Sequence, residues 1–172
     1  MVEQIPKRPL TRAGYALLAT EHDELLLVER PKVVQGIAIA AAEGDRSENA
    51  EYIYGKKRLR ELDKRLRYLG FLLKDIKVCD PEYLGGDQVC FGATVTVRDE
   101  DDALREYTLV GEGEADHRAG SISYKSPVAI ALMGKRVGDL VTAYRPAGDM
   151  ELEIIDLKFA GRSWKIPPPK RK

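Results

Sequence analysis

Residues Gly44–Tyr52, GDRSENAEY, place Asp45 and Glu48 three positions apart with Ser47 between them and Glu51 close behind. Carboxylates are hard oxygen donors of the kind that bind Mg²⁺, an ion that keeps several waters and is usually held by one or two carboxylates together with phosphates. Carboxylates at an exposed turn, with little protein around them, make a poor complete metal site and a good half-site. Such a half-site can complete a metal sphere in another protein, and two-metal phosphodiester hydrolysis uses a second ion to generate and place the attacking water. The same residues also suit a helix start. Asp45 followed by Glu48 has the spacing of a capping box, Asp, Ser and Asn favour N-caps, and acids match the positive end of the helix dipole. Spacing leaves both uses open.

Directly after these acids comes a basic run. Between Tyr54 and Tyr68 there are seven cations (Lys56, Lys57, Arg58, Arg60, Lys64, Arg65 and Arg67) against two acids, Glu61 and Asp63. Intrahelical pairs such as Arg58 with Glu61 or Arg60 with Asp63 would use some of them. Two acids cannot neutralise seven cations, so a net positive face is expected, suited to a polyanion such as one strand of nucleic acid.

The elements that must carry these groups are helical. Thr11 is a candidate N-cap for a first helix, with Tyr15, Leu18, Leu25, Leu26 and Val28 as its apolar residues. A kink or break is expected near Pro31, and Gly44 is expected to end the run. The second helix carries the strongest pattern in the chain: Leu59, Leu62, Leu66, Leu69, Leu73 and Ile76 recur at alternating spacings of three and four, a heptad seam that extends back through Gly55 to Tyr52. Two helices joined around Gly44 must run antiparallel, forming a coiled-coil hairpin over residues 1–77 with its tip at 44–51.

From about residue 78 the pattern changes. CDPEYLGGDQ reads as a linker, 78–86. Beyond it the period becomes two, with Val89, Phe91, Val95 and Val97 on one face, a charged turn at DEDD, a strand at Glu106–Val110, a short helix from Ser126 with Pro127 at its first position, and strands in VGDLVTAYRP and MELEIIDLKF. In the last strand Leu152 and Ile154 should face inward, with Leu157 and Phe159 as further candidates. The fold class expected is α+β: a hairpin followed by a small β-rich domain over 87–160. The tail, 161–172, is basic and proline-rich and is expected to be disordered.

Composition fits this division. The chain has 172 residues, 44% hydrophobic and 33% charged, with zero formal net charge, which argues against coating nucleic acid with its whole surface. Cys79 and Cys90 lack metal spacing and read as reduced thiols. With no signal-like run at the start and no apolar stretch of about twenty residues, a soluble, cytoplasmic protein is expected.

GDRSENAEY resembles the tip motif of the Gre transcript-cleavage factors of bacterial RNA polymerase, Gly-Asp-x-Ser-Glu-Asn-Ala-(Glu/Asp)-Tyr. KKRLRELDKRLRYL is especially similar to the GreB branch. PLTRAGY, ERPKV, VCFGATVTV, GSISYKSPVAIALMGKRVGD and RPAG extend the likeness from Pro9 to Phe159. The resemblance implies a hairpin that enters the polymerase secondary channel, where Asp45 and Glu48 help to hold a second Mg²⁺ shared with the polymerase and Ser47 assists. The chemistry then belongs to the polymerase, and the factor is not an enzyme on its own. It further implies that Lys56, Lys57, Arg58, Arg60, Lys64, Arg65 and Arg67 contact the extruded RNA 3′ end. The FKBP-like second domain docks on the polymerase through the segment holding Ser126, Pro127 and Ile130, and the factor acts as a monomer. Ile130 stands where the family usually has a basic residue. Rival readings are a Gre-fold inhibitor of the polymerase, a non-catalytic coiled-coil interaction protein, and a self-sufficient Mg²⁺ nuclease.

Overall fold

The computed structural model describes residues 8–44 and 48–170. It divides into two compact units, one built from Ala16–Lys74 and the other from the chain up to Tyr15 and from Asp75 onward.

The hairpin unit is made of α1 (Arg12–Glu24) from Ala16 onward, a π-helical turn (Leu25–Glu29), α2 (Arg30–Ala42) and α3 (Ala50–Leu73). Thr11 starts α1 as expected: its Oγ1 accepts from the Gly14 N–H at 2.9 Å. Pro31 does not end the helix. It falls at the first turn of α2, immediately after the π-helical turn. Proline lacks an N–H and crowds the carbonyl four residues back, and a widened turn is one way a helix takes up such an interruption.

In α3 the seam positions Leu62 and Leu69 are buried, and Leu59, Leu66 and Leu73 are half-buried. Gly55 lies on the same seam. A Cβ there would meet Ile37 Cγ1 at 2.7 Å, so glycine lets α2 and α3 approach closely near the tip. Contacts between the arms run in opposite senses along the two chains. Asn49 bonds to Ala40, Arg30 pairs with Asp63 and Arg65 with Glu21, which fixes an antiparallel pair. Ile76 lies beyond α3, contrary to the seam reading. The helix stops at Leu73, Lys74 is extended and Asp75 has φ 55°, so the chain leaves the helix although the spacing continues. At 1.5 Å per residue the 24 residues of α3 span about 36 Å.

The β unit begins earlier and ends later than the sequence suggests. β1 (Pro9–Thr11) pairs in parallel with β2 (Lys77–Cys79), so the first residues described belong here and not to a helix. The stretch read as a linker is structured. It contributes β2 and a 3₁₀ turn at Pro81–Tyr83, which Asp80 caps while also pairing with Arg12 at 3.1 Å. Within this unit the Glu114 carboxylate holds the end of β1, accepting from the Thr11 N–H at 3.0 Å, the Thr11 hydroxyl at 2.6 Å and the Gly111 N–H.

The main sheet comprises β3 (Ala93–Asp99), β4 (Leu104–Val110), β5 (Ser121–Ser123), β6 (Leu140–Ala143), β7 (Met150–Phe159) and β8 (Arg162–Ser163). Its order is β5-β4-β3-β7-β6, with β8 on β7; only β4 and β5 are parallel. α4 (Pro127–Leu132) buries Ala129 and Leu132 against the sheet core, which includes Val95, Val97, Leu109, Ile154 and Phe159. Leu152 and Ile154 cannot share a face with Leu157 and Phe159 at a strict period of two. A register shift opposite Thr96 and Val97, where Asp156 and Ile154 are successive partners, turns the strand by one residue and brings all four inward.

The first residues of the tail, 161–166, depart from expectation. β8 pairs with β7, Trp164 packs at the edge of the core, and Arg162 donates to the carbonyls of Leu84 (2.6 Å) and Glu82 (3.1 Å).

Candidate functional site

α2 closes with Glu43 as its C-cap, and Gly44 then takes φ 133°, a conformation side chains rarely adopt. Asp45 and Ser47 lie outside the described residues. Glu48 is exposed and precedes the helix. The N-cap of α3 is Asn49, whose Oδ1 accepts from the N–H groups of Glu51 (3.0 Å) and Tyr52 (3.1 Å). The capping role open to Glu48 in the sequence is therefore filled by its neighbour. Among the described residues the Glu48 carboxylate has no hydrogen-bond or ion-pair partner, whereas Glu51 sits in the first turn, where the helix dipole favours an acid. No group of three or more His, Cys, Asp or Glu suited to a metal occurs among the described residues.

The basic run resolves into two faces of α3. Lys56, Arg60, Lys64 and Arg67 recur at spacings of four, four and three on the side away from the leucine seam, with Lys57 beside them. All five are exposed, and none has an ion-pair partner among the described residues. Arg58 and Arg65 turn toward the other flank. Arg58 reaches Glu61 at 3.8 Å, as expected. Arg65 forms a two-bond fork with Glu21, both at 2.7 Å, and lies 5.6 Å from the centre of the Tyr68 ring. The fork pulls the Glu21 carboxyl below its ordinary value and raises the Arg65 guanidinium. The expected Arg60–Asp63 pair is absent, because Asp63 pairs across the hairpin with Arg30 at 2.9 Å. Sequence reasoning missed Glu21, Arg30 and Asn49. Asn49 alone had a local signal, as an N-cap residue directly before the helical AEYIY.

In the β unit, Ser126 caps α4, its Oγ accepting from the Ala129 N–H at 3.2 Å, and Pro127 takes the first position. Ile130 lies on the outer face and is 64% exposed. The three candidate docking residues thus share one short helix, and both Pro127 and Ile130 are exposed apolar residues on it.

No helix among the described residues is long and apolar enough to cross a membrane.

Two family models match the chain, both of transcription elongation factors. One is "Transcription elongation factor, N-terminal" over residues 8–78, and the other is "Transcription elongation factor, GreA/GreB, C-term" over residues 84–159. The chain belongs to the GreA/GreB family. It is 47% identical over 150 residues to the transcription elongation factor GreB of Yersinia pestis, covering 87% of this chain and 88% of that one. It is 44% identical over 156 residues to the transcription elongation factor GreA of Methylobacterium sp. (strain 4-46), covering 90% and 99%. A crystal structure of the GreA factor homolog 1 (Gfh1) protein of Thermus thermophilus aligns at 21% identity with a TM-score of 0.42, covering 88% of this chain and 98% of that one.

Proposed function

We propose that this transcription elongation factor inserts its hairpin into the secondary channel of bacterial RNA polymerase and stimulates the polymerase's own cleavage of backtracked RNA. The observation that carries the reading is Glu48, an exposed carboxylate at the hairpin turn that no helix cap employs. Among the described residues this acid neither caps nor pairs, which leaves it open to a ligand and supports a metal half-site. Asp45 and Glu48 would hold Mg²⁺ jointly with polymerase carboxylates, Ser47 assisting, and the ion would supply an activated water. The protein contributes position. Gly55 keeps the two arms close near the tip, and the Arg65–Glu21 and Arg30–Asp63 pairs hold them in register.

The five α3 cations with no ion-pair partner among the described residues bind the displaced RNA 3′ segment through its phosphates. Arg58 and Arg65, engaged with Glu61 and Glu21, serve the hairpin instead. The outer face of α4, with Ser126, Pro127 and Ile130, belongs to polymerase docking.

Stalled, backtracked complexes carrying end-labelled RNA test this reading. Cleavage should accelerate with the factor, fail with factor and RNA alone, and fall by roughly two orders of magnitude with Glu48→Gln, the scale for removing one preorganised electrostatic contributor. Cutting of free RNA would point to a nuclease. A slowing of cleavage and elongation would point to an inhibitor.

A further inference from the structure

We propose that Tyr54 and Tyr68 are stacking platforms for the bases of a single RNA strand, set at the two ends of a ridge of α3 whose lysines hold the strand's phosphates. The proposal deepens the RNA contact of the reading above and rests on it.

Tyr54, Lys57, Glu61, Lys64 and Tyr68 follow one another at spacings of three, four, three and four. In an unbroken helix residues so spaced lie one above another on a single face, and α3 is unbroken from Ala50 to Leu73. All five are exposed, so they form an outer ridge. Glu61, in the middle, is drawn to Arg58 at 3.8 Å. The ridge therefore presents two lysines bracketed by two aromatic rings, with the exposed Arg60 and Arg67 alongside.

The rings do little for the helix. Tyr54 is 70% exposed, and Tyr68, with the Arg65 guanidinium over its ring 5.6 Å from the centroid, still keeps 40% of its surface exposed. Neither gains much from burial, and tyrosine is a weaker helix former than Lys, Glu or Leu. One exposed aromatic on a protein surface is ordinary. Two on one ridge with lysines between them have the make-up of a site for single-stranded nucleic acid, where cations follow the backbone and bases stack on aromatic faces whatever their sequence. Lysines alone would accept any polyanion; the rings favour one that carries planar bases.

The two platforms differ in reach. At 1.5 Å per residue Tyr54 stands about 6 Å along α3 from Ala50, and Tyr68 about 27 Å. Tyr54 thus meets a base near the tip, in short and long displaced segments alike. Only a long segment reaches Tyr68.

The full-length factor is tested first without polymerase, at low salt. The probes are a short single-stranded RNA carrying 2-aminopurine and the same strand with abasic sites. Wild type and the double variant Tyr54→Phe, Tyr68→Phe should quench the 2-aminopurine on binding. Tyr54→Leu with Tyr68→Leu keeps apolar bulk and helix propensity and loses the rings. It should bind the base-bearing strand at least about fivefold more weakly, the low end for one stacked base, and the abasic strand as wild type does. In backtracked complexes Tyr68→Leu should raise the half-saturating factor concentration for long displaced segments only, and Tyr54→Leu for short ones as well.

Equal binding of the base-bearing strand by wild type and the Leu variant would overturn the proposal. So would an equal loss on the abasic strand, or a wild-type factor that binds neither strand. Glu48→Gln should leave RNA binding unchanged. If Glu48→Gln also cleaves normally, the metal half-site fails while the stacking role stands on the binding results.

Discussion

The hairpin and the β unit distribute charge differently. In the β unit several cations are each matched with an acid: Arg98 with Glu153 at 2.5 Å, Arg105 with Asp99 at 2.8 Å, Lys125 with Glu112 at 2.6 Å and Arg136 with Asp87 at 2.9 Å. Beneath them lies a contiguous apolar core in which Ala93, Val95, Val97, Leu109, Ile154 and Leu157 are fully buried. In the hairpin the described buried residues reduce to Leu18, Ala40, Leu62, Leu69 and Leu72, and five cations on one face of α3 have no ion-pair partner among the described residues. Like charges spaced three to four apart on a helix destabilise it slightly. A surface arranged only for stability would intersperse acids there, as the flank with Glu61 and Glu21 does. That face is the one the proposed contact with displaced RNA would use.

That contrast breaks first in the β unit if it is wrong. Phe159→Ala removes a ring that is 1% exposed in the core and should cost about 3–5 kcal/mol in urea unfolding. Replacing Lys56, Arg60, Lys64 and Arg67 by Gln should shift stability by no more than about 0.5 kcal/mol. Comparable losses in the two experiments would mean that the α3 face supports the fold.

The next effect sharpens the division within α3. Arg60, Lys64 and Arg67 replaced by Gln should raise the half-saturating factor concentration on long-backtracked complexes about tenfold, and much less on complexes displaced by two or three nucleotides. The slope of log affinity against log salt should fall by roughly 2, at about 0.7 per phosphate contact on a single strand. Arg58→Gln and Arg65→Gln should leave both nearly unchanged. Equal losses from the two sets would merge the faces.

The smallest effect concerns the Arg65–Glu21 fork. The folded protein holds the Glu21 carboxyl below its ordinary 4.5. Its contribution is thus present above that pH and lost as pH falls through the lower folded value. The stability difference between wild type and Arg65→Gln should be under about 1 kcal/mol at pH 7, since the pair is partly exposed. It should shrink only below pH 4.5. A difference that shrinks on raising the pH from 5 to 8 would contradict the assignment.

Much of this was legible in the sequence where the signal is local. The heptad repeat, the Ser126–Pro127 helix start, the DEDD turn and the β7 strand all depend on residues within a few positions of one another. The tip motif was legible as a candidate and ambiguous as chemistry, because capping and metal binding want the same residue types; the Asn49 cap separates them for Glu48. Non-local pairing was not legible. β1 is three residues long and finds its partner near residue 78, Arg30 takes Asp63 from across the hairpin, and Arg162 anchors the tail on the carbonyls of Leu84 and Glu82. Composition alone made that tail look disordered, and spacing alone carried the α3 seam past Asp75.

The central claim is that the tip acts on the polymerase's reaction while other surfaces hold the factor in place. Competition tests it most directly: Glu48→Gln is titrated into backtracked complexes already cleaving with wild-type factor. A variant that docks normally and lacks the tip carboxylate should suppress cleavage, reaching half-suppression when the two proteins are about equimolar. Undiminished cleavage in the presence of excess variant would contradict the account, because the variant would then either act like wild type or fail to occupy the same site.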